Sequence, residues 1–242
     1  MRTFNFARRS FLEIIRDPLS SIFAVFLPLF LLFIFQQFNI PGETYLLKNF
    51  TPGIIVFGFS FITMFTATLV AKDRSTSFLV RLSTSPMRPF EYVLGYTLSV
   101  VPLVVIQVIA FFGLALILGL QISLGILWAI LLSFPISILF IMLGIFIGSF
   151  TNEKSSAGVS SVVVQLVAFT STLWFSGDMV GKAFGVICKC LPFESAVLIF
   201  RNCVMISTDN LLRTSLTLTG YTILTSVFAV LFFKKKMTDV RK

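Results

Sequence analysis

The stretch "VAKDRSTSFLVRLSTSPMRPFEYVLGY" occupies residues 70–96. It carries Lys72, Arg74, Arg81 and Arg88, a cluster of Ser and Thr, and two prolines, Pro86 and Pro89, while long apolar runs flank it on both sides. An apolar chain that breaks off in this way leaves a low-dielectric medium, crosses a patch of water and goes back in.

The remainder of the chain agrees. Of 242 residues, 57% are hydrophobic and only 12% charged, where a soluble domain carries about 25% charged residues. With a mean hydropathy of +0.99, the chain has too few charges to cover a soluble surface of this size. An all-α integral membrane protein is expected. Six runs have the ~20 residues a spanning helix needs: 19–38, 51–71, 92–118, 124–150, 157–175 and 216–233. None has Lys, Arg, Asp or Glu well inside it. They are too long and too uniformly apolar for barrel strands. Pro28, Pro102 and Pro135 fall within them, as membrane helices allow.

The net charge of +9 lies between apolar runs and not along one face of a domain, so no nucleic-acid partner is expected. With the six spans threaded in order, fourteen Lys and Arg fall on one side and five on the other. The positive-inside rule then places both termini in the cytoplasm of a multi-pass cell-membrane protein. The first apolar run is too long for the core of a cleaved signal peptide.

Three further segments stand out within a single transmembrane domain over 1–242. Residues 1–18 form an amphipathic helix: Ala7, Phe11, Ile14 and Ile15 follow helical spacing, with Phe4 one turn earlier, and Arg8, Arg9, Glu13 and Arg16 fall largely on the other side. Such a helix lies in the membrane interface. In the opening stretch, 72–82 reads as a short helix with Phe78, Leu79 and Leu82 on one side, followed by a turn at Pro86 and Pro89; it is either a plain charged connector or a lever that a soluble partner could grip. Residues 176–213 are too long for a turn and too apolar for a free loop. They read as helices dipping into the outer leaflet and returning, or as a small helical cap. Cys188, Cys190 and Cys203 make no disulfide framework.

Several functions are excluded. The chain has no histidine, so neither a Ser-His-Asp set nor a histidine metal site can exist. A phosphate-binding loop needs G-x-x-x-x-G-K-[ST]; at the one Gly-Lys pair, Gly181-Lys182, Ser176 and Ala183 break the pattern. No ATP site, metal site or catalytic group is therefore expected in this chain. No carboxylate pair lies within a span, which weakens an ion-coupled carrier.

The order of parts, together with Asp73-Arg74, Leu82-Ser83-Thr84-Ser85-Pro86, Leu94-Gly95, and Pro192 followed by Arg201, resembles the permease subunits of ABC-2 type transporters, including daunorubicin-resistance-like drug exporters. Three positions depart from the family pattern: Asp73 stands where Glu is commoner, Tyr96 stands where a lysine usually follows the glycine, and a glycine often found near Ser77 is missing. The resemblance implies that residues 72–90 are a coupling loop docking on a separate cytoplasmic ATPase through Asp73, Arg74, Phe78, Leu79, Leu82, Ser85 and Pro86. It implies two permeases, expected as a homodimer, with two ATPases that hold ATP and Mg2+. The expected cargo is a hydrophobic or amphipathic compound such as a drug, antibiotic, lipid or peptide. Hydroxyl and amide groups at Ser60, Thr63, Thr66, Gln107 and Gln165 are candidates for its path, with helix packing as their other reading. An ion-coupled secondary carrier and a membrane scaffold without transport are the alternative functions.

Overall fold

The computed structural model describes residues 2–16, 18–38, 40–75, 88–174 and 181–240. Among them the regular structure is helical: α1 (Arg2–Arg16), α2 (Pro18–Gln37), a 3-10 turn (Glu43–Tyr45), α3 (Leu47–Ser75), α4 (Pro89–Ile117), α5 (Leu124–Phe150), α6 (Glu153–Thr170), α7 (Lys182–Cys190), α8 (Pro192–Met205) and α9 (Leu211–Val240). The all-α integral membrane architecture is the one expected.

Helix ends follow local chemistry. Pro89 opens α4, where its missing N–H is no loss, and the Arg88 N–H donates to the Glu91 carboxylate at 2.6 Å. At its far end Gly119 takes φ 106°. That left-handed turn lets the Leu120 N–H reach the Ala115 carbonyl at 2.9 Å, closing the helix as glycine readily does. Pro192 opens α8 after Leu191. With no N–H to continue α7, the chain turns there, and α7 and α8 meet at 79°.

Against the six expected spans, four helices among the described residues are long and apolar enough to cross a membrane alone: α3, α4, α5, and α9 over Leu211–Lys235. The bent α7–α8 pair is a broken span or a re-entrant loop, and would raise the number to five. α2 is 20 residues long, with Ala24–Gln37 as its described apolar stretch. The 18 residues of α6 open with EKSSAGVSS, so its first half is too polar for a lipid-facing span.

α3 is the central pillar. It packs against α5, α6, α2, α4 and α8, and 83% of its most apolar window is buried, against 17% for α9. Close approach to α5 depends on Gly144 and Gly148, one turn apart. A Cβ at Gly148 would sit 2.5 Å from the Ala67 carbonyl oxygen, and one at Gly144 2.6 Å from that of Thr63. Small residues spaced by four let membrane helices touch backbone to backbone.

Candidate functional site

The last turn of α3 precedes residues 76–87 in the chain, and two of its three charged residues, Asp73 and Arg74, reach into the fold. Asp73 is 1% exposed. One guanidinium nitrogen of Arg9, from α1, donates to both its carboxylate oxygens at 2.8 and 2.9 Å. The Tyr96 hydroxyl, from α4, donates to it at 2.9 Å. A buried carboxylate is tolerable only when paired and hydrogen-bonded in this way. Arg9 also pairs with Glu13 at 2.8 Å, and Glu13 with Lys72 at 3.3 Å. The ladder thus runs from α1 onto α3 and back.

Arg74 turns the other way. Its guanidinium donates to the carbonyls of Gly148 at 2.9 Å and Thr151 at 3.2 Å. Those are among the last carbonyls of α5, which have no partner within the helix, so the cation both caps and complements the helix end. One residue on, the Ser75 hydroxyl lies 3.1 Å from the Glu153 carboxylate at the start of α6.

Rings complete the junction. Phe6 of α1 stands edge-on to Tyr92 and Tyr96, with centroids 5.5 and 4.9 Å away. Gly95 makes room for it, since a Cβ there would collide with the Phe6 ring. Phe233 of α9 packs against both tyrosines from the other side. Six helices, α1, α3, α4, α5, α6 and α9, therefore meet where residues 76–87 depart.

Of the residues assigned to ATPase coupling, Asp73 and Arg74 are used inside the chain; Phe78, Leu79, Leu82, Ser85 and Pro86 lie outside the described residues. Two of the departures from the family pattern prove to be one feature, because Asp73 and Tyr96 are hydrogen-bonded to each other; the third, at Ser77, lies outside the described residues.

Of the candidate path residues, Ser60, Thr63, Thr66 and Gln107 are fully buried. The Thr63 hydroxyl donates to the Phe140 carbonyl at 2.9 Å, and Thr66 faces Gly144; both belong to the α3–α5 contact. Ser60 bonds back to the Phe57 carbonyl. Gln107 donates to the Ala24 carbonyl at 3.1 Å. Gln165 is apart from them, exposed on α6. The cavity that opens along α3 lies on another face: Phe61, Met64, Phe65 and Thr68, with Ala24 of α2 and Ala157 of α6, line about 160 Å3.

A second joint lies at the opposite end of α3. Arg201 of α8 donates to the Asn49 carbonyl at 3.1 Å and to the Thr172 carbonyl at 3.1 Å. Thr172, just past α6, has φ 57°. Phe35, Tyr45, Phe50, Phe57 and Trp174 stack beside it, and the Tyr45 hydroxyl donates to the Trp174 carbonyl at 3.1 Å. Cys188 is buried, Cys190 exposed and Cys203 half-buried.

Sequence reasoning missed Arg9, Phe6 and the glycine pair. The last had a visible signal, G-x-x-x-G at 144–148 within an apolar run. The others had none, since nothing in the spacing links residue 9 to residue 73.

The profile of the ABC-2 type transporter family matches residues 2–205. No curated protein matches the chain.

Proposed function

The chain belongs to the ABC-2 type transporter family, and on that premise we propose that it is the permease of an ATP-driven exporter for a hydrophobic or amphipathic compound, powered by a separate ATPase. Membership makes it the membrane component of an ABC transporter; direction, cargo and subunit make-up are the proposal.

One observation carries the reading: α3, which ends at Ser75, and α4, which begins at Pro89, meet at a junction that gathers six helices, and residues 76–87 join them in sequence. A force applied there would reach α1 through Arg9, α4 through Tyr96 and α5 through Arg74. In this reading Phe78, Leu79, Leu82, Ser85 and Pro86 dock on the ATPase by a helix-in-groove contact, while Asp73 and Arg74 pass the movement inward. The basic end faces the cytoplasm, as the Lys and Arg distribution favours. Two copies form the permease, with two ATPases holding ATP and Mg2+. The α3 face at Phe61, Met64, Phe65 and Thr68, open between α2 and α6, is the better start for a substrate path than the buried hydroxyls, with Gln165 on the exposed side of α6.

The test is affinity purification of the tagged full chain from its native membranes in a mild detergent, followed by an ATP hydrolysis assay. Co-purification of an ATP-hydrolysing subunit is expected. Phe78→Ala should weaken its capture by about 2 kcal/mol, roughly thirtyfold, as loss of an aromatic anchor does. An intact, transport-competent preparation with no ATPase, whose transport collapses with the ion gradient, would favour an ion-coupled carrier instead.

A further inference from the structure

α1 docks mainly on α4 and touches α2 only lightly. The wedge left between them is a cavity of about 490 Å3, within the range of built ligand sites. Phe11 and Ile15 of α1, Ile22 and Val25 of α2, and Leu103 and Ile106 of α4 form its walls. Among the described residues no polar one lines it, and it is open on its outer side: Ile15, Ile22 and Ile106 are each more than half exposed.

Charge stands beside the slot. Arg8 shares a helix face with Phe11 and Ile15 by its three- and seven-residue spacing. Arg16, in the last turn of α1, is turned a further ~100° round the helix from Ile15 and lines a polar recess of about 440 Å3 with Arg9, Leu12, Glu13 and Lys72. Arg9, Glu13 and Lys72 are tied into the ladder to Asp73. Neither Arg8 nor Arg16 makes an ion pair among the described residues, and both are exposed. An apolar slot with two such arginines beside it on one amphipathic helix has the complement of one kind of molecule.

We infer that the groove between α1, α2 and α4 is a binding site for an anionic phospholipid, with an acyl chain in the slot and the headgroup phosphate against Arg8 and Arg16. Charge selects the headgroup. Basic pockets between membrane helices take anionic headgroups in preference to zwitterionic ones, and each cation near the surface strengthens the attraction. The chain fills a space that the interfacial helix would otherwise leave void. A lipid seated there braces α1 from the side opposite Phe6. The site is independent of the ATPase and of the cargo, so its test does not depend on the export reading.

The purified full chain is incubated in detergent with equal amounts of phosphatidylglycerol and phosphatidylcholine bearing the same acyl chains, and bound lipid is counted by native mass spectrometry. Phosphatidylglycerol should be retained about tenfold over phosphatidylcholine. In Arg8→Gln/Arg16→Gln both lipids should be retained alike. Val25→Trp or Leu29→Trp, on two turns of α2, should fill the slot and lose both lipids; elution volume on size exclusion identifies the variants that remain folded. Equal retention of the two lipids by the unaltered chain would overturn the assignment, as would a preference that survives the double arginine variant. Displacement of phosphatidylglycerol by glycerol 3-phosphate alone would also overturn it, by making the site one for a free anion.

Discussion

The two ends of α3 are both held by an arginine reaching backbone carbonyls, Arg74 at one and Arg201 at the other. They differ in what stands beside it. At the Arg74 end rings are present too, Phe6, Tyr92, Tyr96 and Phe233, but they surround a ladder of charges: Asp73, Arg9, Glu13 and Lys72. At the Arg201 end the neighbours are rings: Phe35, Tyr45, Phe50 and Trp174. A charge ladder rests on a few strong directional contacts, and loss of one member leaves its partner unmet. A ring cluster spreads its energy over many weak contacts, each worth about 0.5–1.5 kcal/mol beyond burial. The first kind of joint suits an end that must change partners during a cycle, and the second an end that serves as a pivot.

If that contrast holds, the largest single effect sits in the ladder. Arg9→Ala removes the bidentate cation from a carboxylate that is 1% exposed. Breaking a buried pair costs about 3–5 kcal/mol; Arg9 is itself 39% exposed, so about 3 kcal/mol is expected. The melting midpoint of the detergent-purified chain should fall sharply. Asp73→Asn combined with Arg9→Ala should recover much of the loss, because the stranded charge is gone. A double variant as unstable as Arg9→Ala alone would mean that packing, not charge, holds this joint.

Arg201→Ala probes the other joint. The Asn49 and Thr172 carbonyls lose a charged donor, at about 2 kcal/mol for the pair after local rearrangement. The location of the effect matters more than its size. With Trp128→Phe in the background, Trp174 is the remaining tryptophan. Its emission should shift to the red in Arg201→Ala and stay unchanged in Arg9→Ala. A shift in both would show that the two ends do not act separately.

The connection between the joints is the α3–α5 seam. Gly148→Ala puts a methyl 2.5 Å from the Ala67 oxygen and 2.8 Å from Val70 Cβ, and backbone cannot yield as a side chain would. Overpacking of this kind costs about 1–3 kcal/mol, and about 2 is expected. Gly158→Ala, on α6 with open space around its Cβ, should leave the midpoint unchanged or raise it slightly. Equal losses at both glycines would remove the seam as an explanation.

The sequence made the helices legible because apolar length is a property of consecutive residues: the expected 124–150 became α5 at Leu124–Phe150. It did not reveal which face of a helix is buried when the helix is apolar all round, so the hydroxyls of Thr63 and Thr66 gave no sign that they face α5. The interfacial helix shows the same limit. Spacing put Phe4, Ala7, Phe11, Ile14 and Ile15 on one apolar side, yet Phe4 is 69% exposed while Phe6 and Ser10 are buried. α1 has one exposed surface and one packed against α4, and a two-faced pattern of apolar and charged residues does not separate the apolar residues of the two. The charge ladder was hidden for a different reason: Arg9 and Asp73 are 64 residues apart.

The smallest effect belongs to the residue that departs from the family pattern. Tyr96 is fully buried, and its hydroxyl meets the same carboxylate oxygen that accepts the second contact from Arg9. Tyr96→Phe keeps the ring, so its edge contacts with Phe6 and Phe233 persist, and Gly95 still admits Phe6. Only the hydrogen bond goes. A bond to a charged acceptor is worth about 1.5–3 kcal/mol; Arg9 still serves both carboxylate oxygens, so the low end, about 1.5 kcal/mol, is expected. Tyr96 and Asp73 share this contact, so the loss should not add to that of Asp73→Ala/Arg9→Ala, which removes the acceptor, and the triple variant should melt where that double does. Additive losses would mean that the Tyr96 hydroxyl acts through some group other than Asp73, and the inner joint would then extend beyond the charge ladder.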